Sequence, residues 1–279
     1  MLNIIKADLY RILKGKAIYI CILFILFAGF TSALSVSPGH VGLSISANTS
    51  DVMNDPEFLE KLQTTNSLGD LRKLMLSHGS FALDKEVLGQ NINLYYIFIV
   101  ITVIVLCTDF SNRTIKNTLS SSISRRKYYF SKLATIFIIS TVLLLFNNIT
   151  SYILIYLIDG KNFVSPFSEI VRLTLIQLPL IYGIISLLIG FGFVTGKTSV
   201  FNTIAIPFIM VVQLIGFGVI NLFRLKADWF FDYEIQFALS KLATDVGNSY
   251  IIKCALLGLL YIVVFNTIGY IVFKRKEIK

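Results

Sequence analysis

The residues in this chain that could do chemistry are few, and their spacing decides what they can do. GFGFVTGKTS, ending at Ser199, finishes like a phosphate-binding loop. That motif needs Gly, four residues, then Gly-Lys-Ser/Thr, so that backbone N–H groups cradle phosphates. Phe191 stands where the first Gly must be, five before Gly196, so the spacing fails and a short turn between two apolar runs is expected instead. His40 and His78 are isolated, with no second ligand at metal spacing. Cys21, Cys107 and Cys254 lie in or beside apolar runs without a CxxC pair, so neither a disulfide framework nor a zinc site follows. The apolar runs contain no Asp, Glu or His, the groups that ion-driven carriers keep inside the bilayer. No carboxylate pair or activated Ser points to a membrane protease. The chain is expected to have no catalysis of its own and to bind no metal or cofactor.

The elements around these residues belong to a membrane. Of 279 residues, 55% are hydrophobic and only 15% charged, where soluble domains carry about 25% charged residues. The net charge of +9 is no nucleic-acid footprint, because the cations sit in short blocks beside apolar runs. A spanning helix needs about 20 apolar residues, and six runs qualify, at about 17–37, 91–108, 133–158, 171–195, 200–221 and 250–273. The first is too long, and lacks the small-residue cleavage site, to be a removed signal. Lys6, Arg11, Lys14 and Lys16, the cations of 109–132, Lys197, and Lys274, Arg275, Lys276 and Lys279 fall on one side of these runs. Only Asp8, Asp109 and Glu277 oppose them there. The positive-inside rule makes that side cytoplasmic, with both termini.

The connections also carry pattern. In 1–16, Leu2, Ile5, Leu9, Ile12 and Leu13 share one helical face, with Asp8, Arg11 and Lys14 placed off it. That describes a helix lying in the interface plane; the alternative is a frayed basic tail that only sets topology. Helical periodicity recurs in the large outer loop, 38–90. The outer segment 222–249 holds Trp229, Phe230, Phe231, Tyr233 and Phe237, rings suited to the headgroup zone. Two placements are open for it: dipping into the leaflet as a hairpin, or lying flat on the surface. The expected fold is all-α, with six transmembrane helices, an interfacial first helix and helical outer loops.

The segment 109–132 is the long basic interruption between runs two and three. Ser111 or Asn112 can cap a short helix on which Ile115, Leu119 and Ile123 recur every four residues. Ser124 can cap the next helix, whose Arg125, Arg126 and Lys127 face lipid phosphates. Such an apolar knob suits a groove on a soluble protein, or a lipid surface; residue types leave both open.

This stretch resembles the first cytoplasmic loop of ABC-2 type transporter permeases. There, an acid ends the second span and is followed by a Gly-Thr pair and a helix. A Pro-x-Ser-Arg-like step and a Lys entering the third span complete the pattern. Asp109 stands for the acid, Thr114 for the Thr, Ser124-Arg125 for the Ser-Arg and Lys132 for the Lys. Arg113 occupies the Gly position, and Ser122 stands where Pro is common. The resemblance implies a bacterial plasma-membrane permease subunit that pairs with a second permease, identical or homologous. Two ABC ATPase subunits would dock on the loop as a coupling helix through Ile115, Leu119, Ile123, Arg125 and Arg126, and ATP and Mg would be bound by those ATPases. Members of this size resemble permeases of antimicrobial-peptide export, bacitracin resistance and lantibiotic self-immunity.

In the fifth run, Asn202, Ile209, Gln213 and Phe217 share a helical face, and an amide facing lipid would be unsatisfied. This face meets protein or a wet groove; the resemblance implies that it lines a path for an amphipathic peptide or lipid-like substrate, the alternative being hydrogen bonding between helices with no substrate contact. Asn147 and Asn148 read as glue between helices. A different class of function fits the same loop: a membrane scaffold or sensor that recruits a soluble protein without moving anything.

Overall fold

The computed structural model describes residues 2–36, 83–120, 123–159, 164–223, 230, 233–243 and 246–276. Most of the 38–90 loop, Ser122, Trp229 and Phe231 lie outside the described residues. Among those described, every regular element is helical.

Helix α1 (Leu2–Lys14) stops at Gly15, and α2 (Lys16–Val36) begins at the next residue. Helix α3 is composite. It is α-helical over Leu83–Gly89, 3-10 over Gln90–Asn93, α-helical over Leu94–Thr102, a π turn over Val103–Cys107, and α-helical again over Thr108–Ser111. Short α4 (Thr114–Ser120) follows, then α5 (Arg125–Asp159), α6 (Phe167–Thr195), α7 (Thr198–Phe223), short α8 (Ile235–Lys241) and α9 (Asn248–Arg275).

Among the described residues, six helices are long and apolar enough to cross a membrane, over Lys16–Leu34, Val87–Ser111, Arg125–Ile158, Phe167–Thr195, Thr198–Phe223 and Asn248–Arg275. All six expected runs are helices, and most extend further than their apolar cores. The apolar run sets the part that must be desolvated, while helical hydrogen bonding continues until a turn residue stops it. The largest extension is in α5, whose 35 residues make it about 52 Å long at 1.5 Å per residue. Its first two turns therefore project past the apolar core and carry Tyr128 and Lys132 to the end of the bundle where α1, α4 and the last turn of α9 gather. That is the terminal end; the opposite is the far end.

The bundle is built on α6, which contacts α9 along most of its length. Their backbones approach so closely that a Cβ on Gly258 would overlap the Pro179 carbonyl. Only glycine permits that contact, which replaces side-chain packing with backbone dispersion. The apolar stretch of α6 is 67% buried, whereas those of α7, α9 and α2 are 11%, 17% and 28% buried. Helices α2, α7 and α9 thus leave most of their apolar surface uncovered, α9 packing chiefly along α6.

At the far end, amides hold the helices together. Asn91 donates to Gln177 Oε1 at 2.7 Å, Asn147 to Asn91 Oδ1 at 3.0 Å, and Asn148 to Thr174 Oγ1 at 2.8 Å. Gln177 Nε2 reaches the Leu88 and Leu239 carbonyls. Asn147 and Asn148 are indeed glue. Gln177 also ties the segment containing α8 into the bundle. This segment enters beside α7 as far as Gln213, which donates to Gln236 Oε1 at 2.7 Å. Gln213 lies ten residues from Phe223, about 15 Å along the helix.

Candidate functional site: a buried charge cluster joining three helices

Two cations and two carboxylates meet at the terminal end. Lys132 Nζ on α5 lies 2.8 Å from both oxygens of Asp8 on α1 and 2.6 Å from Asp109 Oδ2 on α3. Arg11 Nη1 donates to Asp109 Oδ1 at 2.6 Å, and its Nη2 lies 3.2 Å from Asp8 Oδ1. Tyr128 donates its hydroxyl hydrogen to Asp109 Oδ2 at 2.8 Å. Lys132 is 2% exposed, and Asp8 and Asp109 are buried. The four charges sum to zero, which lets them leave water: a lone buried charge costs far more than a paired one.

The local fold supplies extra acceptors. A π turn shifts carbonyls out of the i→i+4 register. Arg11 Nη2 donates to Ile104 O at 2.9 Å and Val105 O at 3.1 Å, both in the π turn. The Thr108 hydroxyl also donates to Ile104 O. The π turn thus receives the guanidinium of α1, and the same guanidinium fastens the acid that ends α3.

Burial pushes the Asp8 carboxyl above its ordinary range, against the pull of Lys132 and Arg11. For Arg11, burial alone would favour loss of the proton. The hydrogen bond and charge of Asp109 outweigh it and hold the guanidinium protonated.

The neighbouring helix ends are capped by cations. Arg125 Nη1 donates to the carbonyls of Phe273, Lys274 and Lys276 at the end of α9. Lys276 Nζ donates to Phe193 O and Val194 O at the end of α6. Each places positive charge at the negative end of a helix and occupies orphan carbonyls. Burial at that site lowers the Lys276 pKa. Between α6 and α7 only Gly196 and Lys197 intervene, with Gly196 at φ +62. The GKTS stretch is a helix–helix turn.

Several expected placements are overturned. Asp8 and Arg11 were expected off the working face of α1; they point into the bundle beside Ile12, while Leu2 and Leu13 are 71% and 63% exposed. The inward face is rotated by roughly 80° at 100° per residue. The ion pairs are why: they need Asp8 inward, and the apolar stripe turns to leave Leu2 and Leu13 at the rim. Arg125 was expected on lipid phosphates and instead caps α9. Arg126 is exposed, over the Phe130 ring.

The Ile115, Leu119 and Ile123 stripe is no free knob. Ile115 is 2% exposed in the core, and Leu119 and Ile123 pack against that core. The outer surface of α4 is formed by Thr114, Lys116 and Asn117, with Arg113 exposed in the turn before it. Neither Ser111 nor Asn112 starts α4: Ser111 closes α3 and its hydroxyl meets Thr198. Ser124 does accept a cap bond, from Lys127 N.

The face proposed for a path is divided. Gln213 bonds Gln236, and Phe217 packs edge-on against Phe230 and Phe237. Ile209 lines a part-open hollow between helices. Asn202 Oδ1 is buried with no hydrogen-bond partner among the described residues.

The sequence does carry a trace of the cluster. Asp8 and Asp109 are acids on a side crowded with cations, and Asp8 falls only 40° from Ile12 on the wheel. An acid at that position in so apolar a chain calls for a buried cation. Which cation depends on the packing of α5. No family model matches the chain, and no curated protein matches it.

Proposed function

We propose that this chain is the permease subunit of an ATP-binding-cassette exporter of the ABC-2 type. In this reading it sits in a bacterial plasma membrane with both termini cytoplasmic. It pairs with a second permease, and two separate ATPases drive it. The substrate class is amphipathic, an antimicrobial peptide or lipid-like molecule.

One observation carries the reading: the loop residues that resemble the family converge in space. Asp109 and Lys132, 23 positions apart, are paired at 2.6 Å. Thr114 Oγ1 donates to Asp109 O at 3.3 Å. Arg113, where the family has Gly, has φ +57, the left-handed region that glycine enters without strain. The backbone keeps a glycine's shape although the residue has changed.

The cluster also gives the reading a mechanism. A push on α4 reaches α3 through the Asn112-Arg113 turn, and reaches α1 and α5 through Asp109, Arg11 and Lys132. In this arrangement three helices move as one. The contact surface for the ATPase is the polar side of α4, with Arg113 and Lys116, rather than the apolar stripe.

Purification from native membranes tests this. The chain should bring down a protein with a nucleotide-binding loop whose ATPase rate changes on association. Arg113→Glu with Lys116→Glu should abolish that co-purification while all six helices still insert. Undiminished co-purification moves the ATPase contact elsewhere. ATP hydrolysis by the purified chain alone rejects the permease reading.

A further inference from the structure

A part-open hollow of about 140 Å³ lies between α3, α6, α7 and α9, bordered on one side by the segment that carries α8. Its walls are almost wholly apolar. Tyr95, Phe208, Tyr261 and Phe265 present rings, and Ile209 and Val212 fill the side toward α7. Among the described residues of its wall, Glu234 is the one charged side chain.

Glu234 is committed by only half of its carboxylate. Oε2 caps α8, accepting from Gln236 N at 3.0 Å and Phe237 N at 3.2 Å. Oε1 takes no hydrogen bond among the described residues, and no cation pairs with Glu234 there. A carboxylate beside aromatic rings in an apolar hollow lacks one complement, a positive charge. Cations are attracted to ring faces as well as to carboxylates, and both attractions strengthen where water is excluded. A dry apolar cavity of about 150 Å³ takes one benzene-sized body.

We infer that this hollow is a binding site for an organic cation with a single-ring or similarly compact apolar body, its charged group on Glu234 and its body among Tyr95, Phe208, Tyr261 and Phe265. Anions are excluded by Glu234, and neutral bodies of the same size gain the walls but not the ion pair. The site lies within one copy of the chain, so it stands or falls independently of the transport reading.

Equilibrium dialysis of benzylammonium against the purified full chain in nanodiscs, with empty nanodiscs subtracted, tests the site at mildly alkaline pH. One saturable site per chain is expected. Glu234→Gln retains an oxygen that can accept the α8 cap bonds, and should weaken benzylammonium at least tenfold while leaving benzyl alcohol unchanged. Val212→Phe leaves the cap untouched, fills the hollow, and should abolish binding of both. No saturable binding to the wild-type chain overturns the inference. So does equal affinity in Glu234→Gln, or undiminished binding in Val212→Phe.

Discussion

Lys132 touches two carboxylates from two other helices, so removing its charge does more than delete one pair. Lys132→Met leaves Asp8 and Asp109 facing each other with only Arg11 between them. Breaking a buried pair in this way costs about 3–5 kcal/mol. Adding Asp8→Asn restores neutrality around the remaining Arg11–Asp109 pair, so the double variant should recover part of the loss. Denaturant unfolding of the four-member cycle in detergent measures this; strictly additive losses would mean that the charges are not coupled. Glu234 gives the second residue-scale outcome. Burial pushes its carboxyl up, against the two cap N–H groups. A raised folded value means the folded chain holds the proton more tightly. The associated stability is full below the unfolded value, about 4.3, and is lost as pH rises through the folded value. The wild type should therefore lose stability relative to Glu234→Gln as pH rises from about 4 toward neutrality. A flat difference over that range contradicts the buried placement.

At the scale of elements, the link between α3 and α4 is two residues long, and one of them is Arg113 at φ +57. A non-glycine residue in that region costs about 1–2 kcal/mol. Glycine removes that cost but adds freedom to the unfolded chain, so Arg113→Gly should stabilise by about 0.5–1 kcal/mol net. A thermal or denaturant midpoint that falls instead would show that the Arg113 side chain holds the turn. The turn matters because α4 has only seven residues, too short to be stable by itself. Ile115 and the geometry of this link keep it folded against the bundle. That dependence explains why the apolar stripe is turned inward: a short helix with its only apolar face outward would have nothing to hold it.

At the scale of the whole molecule, burial is uneven. The α6 and α9 pair forms a close-packed spine, while α7 leaves Ile206, Met210 and Leu214 exposed along one side. On the permease reading, α7 faces a second copy. Met210→Cys should then form a cross-link between copies in native membranes, because Cys21, Cys107 and Cys254 are buried and add little background. Cross-linking absent at Met210 and equally at Ile206→Cys and Leu214→Cys would place the second copy against another face.

The sequence by itself determined where the helices long and apolar enough to cross a membrane lie, because a run of about 20 apolar residues has one stable form in lipid. It also determined that the terminal end is the basic one. Short polar helices were legible as helices, but not their rotation. Periodicity finds an apolar stripe on α1 and α4, yet what each stripe faces is fixed by contacts from distant parts of the chain. Only the tertiary structure brought Asp8, Arg11, Asp109 and Lys132 together, over separations of up to 124 residues. Only packing turned Arg125 from lipid to the end of α9, and placed Glu234 among rings. Spacing along a chain reports which residues share a face. Ion pairs, caps and cavities form between faces, and their partners are chosen by how whole helices fit.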